Sequence, residues 1–136
     1  MSSSNQSFDS TLQRLREVRR LLLRLHKALL DSEKIVYEQV YGQIKSNGEF
    51  LNLVIGHEWF NWLHQISQLI VRIDEVLFAK KPVAVEQPNQ LLEQTKNLLQ
   101  PDNEGTTLGQ RYFHAIQRDP EIALMHVELS EMLAKA

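Results

Sequence analysis

Apolar side chains recur through residues 57–77 at Trp59, Trp62, Ile66, Leu69, Ile73 and Val76, in spacings of three and four. That spacing lays one apolar stripe along a helix and predicts that the stripe faces other helices. A similar pattern precedes it at Leu12, Leu15, Val18, Leu22, Leu25 and Leu29 and is prolonged by Val36 and Val40, with Tyr37, Tyr41 and Ile44 on its shoulder. Ser10 and Gln13 have capping-box spacing, so the first helix is expected to begin near Asp9 or Ser10, after a disordered tail over 1–8. Asp31 and Ser32 can hydrogen-bond the local backbone and mark a place for a kink, and Ser46-Asn47-Gly48 supplies the next turn.

The second helix is expected from about Glu49 to Ala79, ending before Lys80-Lys81-Pro82, and the linker 82–88 is expected to be irregular. Leu91, Leu92, Thr95, Leu98 and Leu99 describe a short third helix closed by Pro101. Thr107 and Gln110 have capping-box spacing and open a fourth helix that runs to about Arg118. Asp119-Pro120 combines a good N-cap with a good first helical residue, so Glu121 to Leu133 is predicted as a fifth helix. No strand-like alternation and no internal repeat interrupts this series.

Helix length bears on assembly. A helix of about 31 residues is roughly 46 Å long, whereas a compact chain of this size has a radius of gyration of about 14 Å. Either the first helix breaks near residue 31, or the hairpin of the first two helices projects apolar surface that a second copy covers. Continuous stripes of this kind suit antiparallel bundle interfaces, so a homodimer is expected.

The 136 residues, 43% of them hydrophobic, suffice for one all-α domain over 9–136 with a single core. Cysteine is absent, which removes disulfides and thiol-based metal or redox sites. The opening MSSSNQSFDS lacks the basic and apolar regions of a signal peptide, and charges interrupt every long apolar segment. The expectation is a soluble, cytoplasmic protein without membrane insertion. A formal charge of -2 argues neither for a nucleic-acid coat nor for an acidic tail.

Candidate chemistry is sparse. His26 and Glu33 fall on the shoulder of the first stripe, Glu58 at the edge of the second, and His126 among Ile122, Leu129 and Leu133. Two imidazoles and two carboxylates on three helices are the raw material of a divalent-metal site in a bundle. The chain contains no Glu-x-x-His pair, however, and Asn61 stands where a zincin would need a second histidine after His57-Glu58. His126 and Glu58 are therefore expected to be buried polar groups satisfied by hydrogen bonds. His57 and His64 are placed on one exposed helix face with Asn61 between them. Trp59, Phe60 and Trp62 form either core anchors or the wall of a small-molecule pocket. Arg16, Arg20, Arg24 and Lys27 make a cationic stripe on the first helix, with Arg14 and Arg19 on its flanks. Pairing with Glu121, Glu128 and Glu131 is the simpler expectation for that stripe, and a phosphate or nucleic-acid surface the other. Gly105 and Gly109 are too isolated for a phosphate loop.

The sequence thus predicts an all-α bundle on a long antiparallel helical hairpin, with three shorter C-terminal helices. The function it suggests is that of a non-enzymatic interaction or regulatory protein acting through self-association and partner binding, with no cofactor expected. A metal- or small-molecule-binding bundle, enzymatic or not, is the first alternative. An anion or nucleic-acid binder using the arginines of the first helix is the second.

Overall fold

A computed structural model describes residues 3–135, with side chains from residue 7 onward. Among the described residues the chain is an all-α bundle: six helices, 81% helical, without strands. The first helix, α1, spans Ser3–Tyr41 without interruption. It starts well before the expected Ser10 cap, which lies inside it, so residues 3–8 are helical and not a tail; residues 1–2 lie outside the described part. Nor does α1 break near residue 31. The Asp31 carboxylate takes the Lys27 ammonium at 2.9 Å and the Ser32 hydroxyl takes Arg118, so neither side chain competes for the α1 backbone.

The expected long second helix is divided. Helix α2, Asn47–Gly56, is followed by a short 3-10 turn, Glu58–Phe60, and by α3, Asn61–Leu77. Glycine is a weak helix former, and His57 leaves the helical region at φ -89°, ψ 133°, after which its Nδ1 accepts the Trp59 N–H at 3.0 Å. One residue thereby ends α2 and caps the turn that follows. Ser46 was expected within a turn and instead caps α2, accepting the Glu49 N–H at 3.1 Å.

Helix α4 spans Glu86–Leu98 and opens inside the expected linker, with Pro88 buried in its first turn. Helix α5, Thr107–Arg118, is capped by Thr106, whose hydroxyl accepts the Gly109 N–H at 3.0 Å; the capping residue sits one place before the Thr107 expected from spacing. Helix α6, Pro120–Ala134, begins as the sequence predicts, with the Asp119 carboxylate accepting the Glu121 N–H at 3.0 Å.

Helix α3 runs antiparallel along α1: Arg19 pairs with Asp74, His26 meets Ser67, and the Tyr37 ring meets Phe60. Helix α6 also opposes α1, since Arg118 at the α5–α6 corner reaches Ser32 while Arg24 approaches Glu128 at 3.7 Å. The antiparallel partner of α1 in sequence order is therefore α3, and α2 rests on the turn and on α3. Leu15, Val18, Leu22, Leu25 and Leu29 of α1 interlock with Ile66, Leu69 and Ile73 of α3, Leu91 and Leu92 of α4, Tyr112 of α5, and Ile122 and Leu129 of α6 in one buried cluster. Full burial of such a side chain contributes about 1.5 to 3 kcal/mol. Among the described residues no helix is long and apolar enough to cross a membrane.

Candidate functional site

The sequence-derived residues fall into separate environments, and a cluster around Arg111 that sequence reasoning did not join emerges between them. His26 Nε2 lies 2.9 Å from the Ser67 hydroxyl, between α1 and α3. Desolvation holds this imidazole below the usual histidine range, with the nearby His64 pushing the same way. His64 donates from Nε2 to the Val54 carbonyl at 2.7 Å, tying α3 back to α2. The break at His57 puts His57 and His64 on different elements, so they do not share the exposed face expected for them, and both are half-buried.

His126 is also half-buried, with Nδ1 2.8 Å from the Tyr112 hydroxyl and the two rings edge to face. Tyr112 is fully buried, and burial drives its hydroxyl toward the neutral, donating form. Donation to Nδ1 leaves the proton of neutral His126 on Nε2, which faces Ser130 Oγ at 3.5 Å. The ring therefore offers Ser130 a donor, so this is a hydrogen-bonded strut between α5 and α6. Burial lowers the affinity of His126 for a proton.

Glu58 is exposed in the 3-10 turn, against the expectation of a buried carboxylate. Glu33 is the buried one, 2% exposed, and it holds two arginines from α5: Arg111 at 2.7 Å and Arg118 at 3.2 Å. His26, Glu33, Glu58 and His126 are thus not brought together. Among the described residues no three histidine or carboxylate side chains gather closely enough to hold a metal ion.

Trp59 and Phe60 join an aromatic cluster around the end of α1, and Trp62 is buried in the core. Tyr37 stands edge-on to Trp59 at 5.9 Å and 5.7 Å from Phe60, Tyr41 stands 6.0 Å from Trp59, and Phe50 of α2 meets Phe60 at 5.8 Å. Arg111 lies over the Trp59 ring at 4.9 Å and the Trp62 ring at 5.9 Å. Arg111 and Arg118 carried no sequence signal, since their carboxylate lies 78 and 85 positions away.

The cationic stripe is mostly engaged. Arg20 pairs with Glu17, Lys27 with Asp31 and Arg24 with Glu128, while Arg16 reaches Gln13 Oε1 at 3.2 Å. The flanking Arg19 binds Asp74, and Arg14 donates to the Lys135 carbonyl. Of the three acidic partners expected on α6, Glu128 is the one that meets the stripe.

A further region, at the end of α1, is apolar and uncovered. The stripe of α1 continues past the other helices: Val36 is half-buried, and Val40 and Tyr41 are 61% and 60% exposed. Helix α2 beside it contains no buried residue, and its Leu51 and Ile55, one turn apart, are 58% and 65% exposed. No family model, no curated protein and no solved structure matches this chain, so its own residues are what point to a function.

Proposed function

We propose that this chain is an interaction or regulatory module that works by self-association and by binding partner helices at the far end of α1. The observation that carries this reading is the uncovered apolar set Val40, Tyr41, Leu51 and Ile55, at the point where a core stripe outruns its covering helices. A helix of 39 residues is about 58 Å long, against roughly 37 Å for the diameter of a sphere with the radius of gyration of a compact chain this long. An overhang follows from length alone. Exposed apolar side chains gathered at one end of a fold favour an interaction site.

A second copy is the occupant favoured, because the same end of each chain offers both a continuing α1 stripe and the free face of α2. A twofold arrangement matches such a surface to itself. The aromatic cluster of Tyr37, Phe50, Trp59 and Phe60 beneath it supplies a stiff base, and stiff surfaces lose less entropy on association. Native mass spectrometry of the full chain from low to high micromolar concentration tests this reading. Twice the 15.8 kDa monomer mass is expected, and a strict monomer across that range would remove it.

A further inference from the structure

Around Arg111 the hydrogen-bond donors outnumber the acceptors. Glu33 is the shared carboxylate acceptor of Arg111 and Arg118, and one carboxylate against two guanidiniums leaves a positive charge in excess. Arg111 uses Nη2 on Glu33 and on the Trp59 carbonyl at 3.4 Å, while its plane lies over both tryptophan rings. The indole N–H groups of Trp59 and Trp62 are themselves buried without an acceptor. Trp62 is 3% exposed, so solvent does not serve its N–H. An indole nitrogen can only donate, and a buried unpaired donor calls for an explanation.

We propose that Arg111, Trp59 and Trp62 form a binding site for a small monocarboxylate with an apolar body. A carboxylate supplies the acceptor oxygens that this cluster lacks, and a single negative charge balances the single excess positive one. Once shifted off Glu33, the Arg111 guanidinium presents Nη1 and Nη2 together to a carboxylate as a planar fork. The indole faces take the apolar part of the ligand. A phosphate dianion would overshoot the charge balance and bring no apolar body to the rings. The Arg111 side chain is 30% exposed and covers the indoles, so the ligand gains access as Arg111 shifts while Arg118 stays on Glu33.

The site is independent of the proposed self-association and has its own readout. The chain holds two tryptophans, Trp59 and Trp62, and both belong to the cluster, so intrinsic emission at a fixed protein concentration reports on it. The full chain is titrated with acetate, cyclohexanecarboxylate and inorganic phosphate at constant ionic strength, with sodium chloride as control. Saturable emission changes are expected with both carboxylates, tighter with cyclohexanecarboxylate, and weaker or none with phosphate. Arg111→Lys, which keeps the charge and loses the fork, should bind at least roughly tenfold more weakly. Trp62→Phe keeps a ring and deletes one orphan N–H, and should also weaken binding while Trp59 still reports. A response to chloride equal to that of the carboxylates, tighter binding of phosphate, or no saturable change with either carboxylate would overturn the proposal. So would unchanged affinity in both variants, which circular dichroism first shows to be folded.

Discussion

The covered and uncovered lengths of α1 share one apolar period and meet different fates. From Leu15 to Leu29 every core position is buried against α3, α4, α5 and α6, whereas Val40, on the same side of the helix by helical phase, stands open. Side-chain type does not separate the two stretches; what lies opposite does. Helices α3 and α6 both end their run beside α1 near the aromatic turn and the α5–α6 corner, and the last turns of α1 extend beyond them. An apolar stripe read from sequence therefore marks a face that needs a cover without saying whether the chain itself provides one.

The sharpest way to test this contrast is by truncation within each stretch. Leu25→Ala or Leu69→Ala should destabilise the fold by about 2 to 5 kcal/mol, as large-to-small changes in packed cores do. Val40→Ala should change monomer stability by no more than about 0.5 kcal/mol, as expected for an exposed site. Chemical denaturation of the three variants measures both, and similar losses at Val40 and Leu25 would erase the distinction.

Glu33 stands at the boundary of the two stretches, where α1 leaves the core. Removing its carboxylate by Glu33→Ala leaves Arg111 and Arg118 without their shared partner, and a cost of roughly 2 to 4 kcal/mol is expected, less than for fully buried charges because both arginines reach solvent. A denaturation midpoint equal to that of the parent would show that the ion cluster is not part of the frame.

A smaller effect should follow from pH. His26 and His126 are held below their unfolded proton affinity by desolvation, so in the folded state they stay neutral where the unfolded chain already binds protons. The unfolded state then binds more protons, and stability rises with pH through that window. Full stability is expected above the unfolded histidine pKa of about 6.5, with progressive loss as the pH falls toward the depressed folded values. Melting temperatures between neutral and mildly acidic pH should show this slope, and replacing both histidines by glutamine should flatten it. An unchanged slope in the double variant would assign the acid sensitivity to other groups.

The parts of the fold legible in sequence were those fixed by short-range pattern. The stripe from Trp62 to Ile73, the Asp119-Pro120 start of α6 and the three short C-terminal helices each depend on neighbours within a turn or two. The break at Gly56-His57 was hidden because a single glycine is tolerated in many helices, and the His57 cap becomes apparent only from its geometry. Helical residues before Ser10 carry no apolar periodicity; they extend a helix already nucleated downstream, where each added residue is inexpensive. At the candidate site, Glu33, Trp59 and Trp62 were singled out from sequence, but Arg111 and Arg118 were not. Contacts across 78 and 85 positions are set by tertiary packing, and nothing local to α5 announces them.

Sedimentation velocity of matched surface variants tests most directly whether the uncovered end of α1 and α2 is where copies of this chain meet. Leu51→Glu with Ile55→Glu places two charges on the free face of α2, and Val71→Glu places one on an equally exposed apolar position of α3. The parent chain and Val71→Glu should sediment as dimers at micromolar concentration, and the double variant as a folded monomer. A parent that is monomeric throughout, or a double variant that remains dimeric, would contradict the account.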